Sequence, residues 1–189
     1  MREERFRLAA ADGQAIELYA WRGAGQPKAL IQIVHGMAEH AGRYRHVARA
    51  LVGAGYAVYA AEHRGHGALA RESGQLGDFG PRGFQGLVDD MAVVSRHARA
   101  GQPGLALLMV AHSMGSMAAQ LYLLEHADLL DGVALSGTAA LDLLDPRVSG
   151  WTVERANATV AGARSPAAGS AAIRPWWRPT WPTPCAASR

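Results

Sequence analysis

The chain has 189 residues, 49% of them hydrophobic, with a formal net charge of +3, enough for one domain with a full core. Residues 151–189 hold five arginines and one acid, Glu154, so the charge sits in the tail; no basic stripe with interleaved aromatics points to nucleic acid. Cys185 is the only cysteine, which excludes an internal disulfide and any cysteine-based metal site.

The start, MREERFRLAAADG, is charged and has no apolar h-region, so no secretory signal is expected. No window reaches the roughly 18 apolar residues of a membrane helix. The expectation is a soluble, cytoplasmic protein, with peripheral membrane contact and oligomeric state left open.

In chain order, EERFRLAAADGQAIELYAWRG reads as a hairpin turning at Asp12-Gly13. KALIQIVHG is an apolar run stopping at Gly36, suited to a strand buried on both faces. RYRHVARALVGAGY has helical spacing at Tyr44, Val47, Leu51 and Val52, ended by Gly53 and Gly55. YAVYAAEHRGHG is a second buried strand running into a glycine-rich loop, and residues 68–82 read as surface loop. GFQGLVDDMAVVSRHARAG is helical, with Leu87, Met91, Val94 and His97 or Ala98 on one face and Asp89 and Asp90 on a solvated one. GLALLMVAH is a third strand, MGSMAAQLYLLEHA a helix and LDGVALSGTA a fourth strand.

Strands alternating with helices predict an α/β fold, a mostly parallel sheet covered on both faces, with an N-terminal hairpin. In such sheets chemistry sits at the carboxyl ends of the strands. HGMAEH, EHRGHG and AHSMG all fall there.

Ser113 stands between a strand and a helix, with small residues Ala111 and Gly115 two positions either side. The pattern A-x-S-x-G differs by one methyl from the G-x-S-x-G of a nucleophile elbow. A serine at a helix start is commonly a cap; the strand before it and the helix after it favour a nucleophile. The backbone N–H groups of Met37 and Met114 are then the candidate oxyanion donors. His35, Gly36, His112 and Gly115 read as residues that shape the site loops. His63 and His66 stand i,i+3 in a glycine-rich loop without a third ligand type, so they too read as loop-structuring. No metal or cofactor is expected.

HGMAEHAGRY, EHRGHG, GDFGPRGFQGLVDDM and AHSMGS, in this order, resemble the α/β-hydrolase superfamily. More narrowly, they are similar to its monoacylglycerol lipase, lysophospholipase and serine-aminopeptidase-like branch. The resemblance covers about residues 4–145. It implies Ser113 as nucleophile, Met37 and Met114 as oxyanion donors, and hydrolysis of a carboxylic ester with a small, lipid-like acyl substrate. Glu62 stands where the family usually has Asp, and Ala68 where it often has Ser.

In this fold the triad runs Ser, then Asp or Glu, then His. The last histidine here is His126, in the helix that begins after Ser113, and none occurs from 127 to 189. The expectation is therefore residues 1–145 as the N-terminal part of a hydrolase core, and 146–189 as a non-native-looking, disordered tail. In this chain the catalytic strength is expected to be crippled.

The tail holds four of the five tryptophans and shows neither strand nor helix periodicity. Over residues 168–188, joining the last base of each codon to the next two gives a shifted frame. There Trp176–Trp177 must read Val and Trp181–Pro182 must read Ala, and the stretch can read WLSRDPAVVEAYVADPLCGF. That peptide resembles the start of the family's cap. On this reading the chain is truncated or frameshifted after about residue 145, and GVALSG becomes an open, aggregation-prone edge. Two further functions stay open: a non-catalytic remnant or binding module, and a serine-aminopeptidase-like peptidase.

Overall fold

The computed structural model describes residues 1–139; the expected break near 145 and the tail 146–189 lie outside the described residues. The alternating pattern of residues 2–22 forms the expected hairpin. Strand β1 (Arg2–Ala9) pairs with β2 (Ala15–Arg22) from Arg2↔Arg22 to Ala9↔Ala15. Its turn needs a left-handed residue, which Gly13 supplies at φ 83. The Asp12 side chain accepts the Gln14 N–H at 3.2 Å.

Four more strands complete the sheet: β3 (Leu30–Val34), β4 (Ala57–Ala61), β5 (Leu107–His112) and β6 (Gly132–Ser136). The order is β1-β2-β4-β3-β5-β6. β2 runs antiparallel to β4, whereas β3 is parallel to both β4 and β5, and β5 to β6. The mostly parallel sheet is thus present, with the hairpin on one side.

Four helices cover it: α1 (Arg45–Gly53), α2 (Gly67–Glu72), α3 (Gly83–Gly101) and α4 (Met114–His126). On one face Ala48 and Val47 of α1 pack against Trp21, Ile31, Ile33 and Val58. On the other, Leu87 and Met91 of α3 and Ala118 and Tyr122 of α4 pack against Val34, Met109 and Ala111. Every residue of β3 is buried, because both its faces are covered. A buried polar chain fixes the second layer. Tyr122 donates to Ser95 at 2.8 Å, Ser95 to Gln32 at 2.6 Å, and the Gln32 amide to the Met91 carbonyl at 3.1 Å.

Three expectations change. The segment 68–82 is not all loop, since α2 occupies its first turns. The helix expected from residue 43 begins as a 3₁₀ turn, Ala41–Tyr44, before α1. Asp90 does not face solvent: it is buried against Arg64 at 2.7 Å, while Asp89 pairs with Arg82. The helical pattern placed Asp90 beside Asp89, but only the packing of the β4 loop onto α3 gives it a cation to bury. Among the described residues, no helix is long and apolar enough to cross a membrane.

The chain changes face around β3. From β3 the chain crosses one face through α1 to β4; from β4 it crosses the other through α3 to β5. The loops leaving the carboxyl ends of β3 and β5 therefore diverge between neighbouring strands.

Candidate active site

Ser113 occupies the junction of β5 and α4 with φ 50 and ψ −123. A left-handed φ is costly for a side chain bearing a Cβ, at about 1–3 kcal/mol. Packing on both sides enforces it. The Ser113 N–H donates to the Ser136 carbonyl of β6 at 2.8 Å, and its carbonyl accepts the Ser116 N–H at 2.8 Å. The hydroxyl makes no capping bond to α4, although the serine sits at the N-cap. The ordinary job of a serine at a helix start is thus unfilled, and Oγ stays available.

The small flanking residues have a steric reason. A Cβ on Gly115 would be driven into the Val34 carbonyl oxygen at 2.6 Å and into that of His35. Ala111 is fully buried in β5, in register with Val34 and Leu135. Its side chain is a single methyl with no exposed surface. His112, half-buried, turns its Nδ1 to the Ser136 hydroxyl at 3.2 Å.

The HGMAEH loop comes to the elbow from β3. A Cβ on Gly36 would sit 3.1 Å from the Ser113 Cβ and 3.4 Å from the His112 carbonyl oxygen. So the two sequence motifs meet backbone to side chain at Gly36. Met37 follows it and is exposed, while Met114 opens α4 and is buried. The Met114 N–H belongs to the first turn of α4, where amides lack helical acceptors and carry the positive end of the helix dipole.

Three imidazoles lie beneath this loop. His35 Nδ1–H donates to the Gly36 carbonyl at 2.9 Å, and its Nε2 accepts the His63 N–H at 3.1 Å. His63 Nε2–H donates to the His35 carbonyl at 2.9 Å, and the two rings stack with centroids 3.8 Å apart. Burial holds His35 well below the ordinary imidazole range and pushes His63 down to about 3. Both are neutral near pH 7. His66 donates from Nδ1 to the Arg64 carbonyl at 2.8 Å and accepts the Ala38 N–H on Nε2 at 3.2 Å. With both nitrogens engaged, His66 has none left for a metal.

Glu39, which the sequence reading gave no role of its own, ties the loop together. Its Oε2 accepts the Gly36 N–H at 2.8 Å and the Tyr44 hydroxyl at 2.7 Å. The carboxylate thus reaches back three residues to the loop's first amide, although no helix opens at Gly36 and the next helical turn begins only at Ala41. Burial and the neighbouring Glu39 raise the Tyr44 hydroxyl above its ordinary range, so it stays a donor. Glu62 accepts the Ala41 N–H at 2.9 Å.

His126 ends α4, thirteen residues long, and its ring packs on Tyr122 at 5.3 Å. At about 1.5 Å per residue a helix of this length carries its far end roughly 20 Å from its start, too far for His126 to serve Ser113. Asp89, Glu125 and His126 bring ligand-type atoms within 4.8 Å of one another. Asp89, however, already holds Arg82 at 2.6 Å, and Gln85 reaches both carboxylates. Two surface clefts, of about 410 and 390 Å³, include neither Ser113 nor Met37 in their walls.

Comparison with known proteins gives a consistent set of relatives. The family Hydrolase_4, serine aminopeptidase S33, matches residues 25–173, extending past the 145 at which the sequence motifs stop. Human monoglyceride lipase is 36% identical over 128 residues, 68% of this chain and 41% of that protein. The monoacylglycerol lipase of Mycolicibacterium smegmatis is 33% identical over 132 residues, 70% of this chain and 45% of that protein. The chain thus spans less than half the length of these relatives. Among solved structures, a thermostable carboxyl esterase from Bacillus coagulans, in complex with glycerol, superposes with a TM-score of 0.72 at 27% identity, covering 88% of this chain and 60% of that one. A lipase in its open form gives 0.69 at 33% identity, covering 90% and 56%.

Proposed function

The chain belongs to the Hydrolase_4 family, serine aminopeptidase S33, and from that premise we propose that it carries the nucleophile and oxyanion-hole half of a serine hydrolase. Its substrate is a carboxylic ester with a lipid-like acyl chain. The carrying observation is Ser113, held at φ 50 with its hydroxyl uncapped and the HGMAEH loop pressed against it at Gly36. The likeness to monoglyceride and monoacylglycerol lipases supports a glycerol-linked ester.

In this reading Ser113 Oγ attacks the ester carbonyl carbon, and the carbonyl oxygen takes the negative charge. The N–H groups of Met37 and Met114 stabilise that oxygen, each donor contributing about 2.7–4 kcal/mol to the transition state. The serine proton passes through solvent to the leaving oxygen as the C–O bond breaks and the alcohol departs; water then adds to the acyl-serine carbonyl, and the acid leaves as Ser113 Oγ regains a proton. The hydroxyl needs a base to lose its proton. Among the described residues, the buried histidines are spent on the loop and His126 is remote. The sequence holds no histidine from 127 to 189. Turnover by this chain alone is therefore low. Losing the histidine of a serine hydrolase costs about 10⁶ in kcat and leaves about 10³–10⁴ over water, from the oxyanion hole and binding.

The test is hydrolysis of p-nitrophenyl butyrate and a monoacylglycerol by the purified 189-residue chain. A weak, saturable acceleration over buffer is the expected result. Ordinary esterase turnover abolished by Ser113→Ala would overturn the low-activity part. No acceleration at all would leave a binding module. The family's peptidase members motivate a second substrate, an amino-acid p-nitroanilide; its preferential cleavage would shift the reading to a peptidase. Nucleotide sequence downstream of codon 145 decides whether the missing acid and histidine lie in the shifted frame.

A further inference from the structure

The loop after β3 has little regular structure of its own to hold its amides. Side chains hold them instead. The Gly36 N–H goes to Glu39 at 2.8 Å, the Ala38 N–H to His66 at 3.2 Å and the Ala41 N–H to Glu62 at 2.9 Å. Between the first two lies Met37, whose N–H is used by no hydrogen bond among the described residues. The amide left open is thus flanked on both sides by tied ones.

Ala38 is strained. With φ 57 it shares the left-handed region with Ser113 alone among the described non-glycine residues. One left-handed residue in a turn swings neighbouring N–H groups toward a common point, the arrangement that binds anions. The strain persists only if something outside Ala38 holds it. His66 is that contact. It is buried, at 8% exposure. Its Nδ1–H is anchored on the Arg64 carbonyl at 2.8 Å, which leaves Nε2 as a lone-pair acceptor facing the Ala38 N–H. Arg64 is itself fixed by two bonds to Asp90, at 2.7 and 2.8 Å. The line from α3 to the loop is therefore continuous: Asp90, Arg64, His66, Ala38.

We propose that His66 is a positioning residue of the oxyanion hole: it clamps Ala38 in its left-handed conformation and so aims the Met37 N–H at the oxygen of an ester attacked by Ser113. This rests on the hydrolase reading of Ser113 and Met37. The role needs an acceptor at the Nε2 position, where the ring presents a lone pair because Nδ1 carries the proton. Lysine and arginine have no acceptor. Asparagine keeps a donor near Nδ1 but stops short of Ala38. Glutamine puts an oxygen near the Nε2 position.

The test compares the 189-residue chain with His66→Asn and His66→Gln, by residue-resolved amide exchange and by residual hydrolysis of p-nitrophenyl butyrate. In His66→Asn the Ala38 amide exchanges about tenfold faster or more while core amides such as Leu18 and Tyr59 stay protected. Residual kcat drops by about tenfold to a hundredfold with KM little changed, the signature of lost alignment. His66→Gln restores both. Unchanged Ala38 exchange in His66→Asn overturns the clamp. Faster exchange with unchanged kcat overturns the positioning role. A wild-type chain that does not accelerate hydrolysis overturns the hydrolase reading, and Ala38 exchange then decides the clamp by itself.

Discussion

Gly36 and Ser113 pack so closely that a methyl group on the glycine would stand 3.1 Å from the serine Cβ. That is tighter than carbon atoms pack at their optimum of about 3.5–4.0 Å. The same methyl would press on the Glu39 carboxylate, also at 3.1 Å. Gly36→Ala therefore pushes the loop off the elbow. Overpacking of this kind costs about 1–3 kcal/mol, so the variant folds with a lowered melting temperature. On the proposed hydrolase reading, its residual esterase rate falls further than its stability does, because Met37 is displaced. Thermal melts and p-nitrophenyl butyrate rates, measured side by side, check this.

Gly115→Ala is harsher. Its methyl meets backbone oxygens of Val34, the last residue of β3, and of His35 just beyond it, not a flexible side-chain end. The backbone cannot yield without parting β3 from α4. The expected outcome is loss of soluble folded protein, read by circular dichroism and gel filtration. Ala111→Gly, at the other small position, retains the fold.

Glu39→Ala removes the acceptor of the Gly36 N–H, at a glycine that is itself buried. An amide left so costs about 1–3 kcal/mol. Glu39→Gln keeps an oxygen in place and loses less, and Tyr44→Phe loses only the hydroxyl's 2.7 Å bond. The predicted order of urea midpoints is wild type, Tyr44→Phe or Glu39→Gln, then Glu39→Ala.

Arg64 is 4% exposed and bound bidentately to Asp90, with Asp12 as a second carboxylate at 2.6 Å. Breaking a buried pair from one side leaves an uncompensated charge and costs about 3–5 kcal/mol. Arg64→Met and Asp90→Leu should each destabilise strongly. The double variant should lose clearly less than the sum, since Asp12 can turn to water. A double-mutant cycle in chemical denaturation measures the coupling.

Acid should weaken the fold early. The His63 imidazole is held at about 3, chiefly by burial, and His35 is also lowered. The unfolded chain binds those protons near the ordinary imidazole value of about 6.5. Stability is therefore full above about 6.5 and falls as pH drops through the window toward 3, by up to about 1.4 kcal/mol per pH unit for each histidine. Glu3, bound by Arg45, and Asp12, bound by Arg64, are both held at about 2. Their losses begin only near the ordinary carboxylate range of about 4. Glu62, raised by burial, acts in the opposite direction. Denaturation midpoints between pH 7.5 and 5 should fall, and His63→Gln should flatten the slope.

Much of the site was legible in the chain. The elbow announced itself because a strand-to-helix turn with a serine between small residues requires Ala111, Ser113 and Gly115 at fixed spacing. The hairpin and the α3 face followed from periods of two and 3.6. Asp90 was misread because a helical period gives the face of a residue relative to its own helix and says nothing of the Arg64 delivered to it from elsewhere. Glu39 was passed over because its partners, the Gly36 amide and the Tyr44 hydroxyl, become neighbours only when the loop folds back.

The sequence by itself determined the order of the strands and of three of the four helices described, α2 excepted, together with the family and the identity of Ser113 as its candidate nucleophile. These rest on local spacing and on residue types that few other backbones require. Only the tertiary structure decided what holds the site open. The strand order brings the ends of β3 and β5 together, the approach at Gly36 joins loop to elbow, and His66 and Glu39 tie the amides either side of Met37. Those contacts join groups far apart in the chain or across a turn, and their partners are set by packing distance, which residue spacing does not encode.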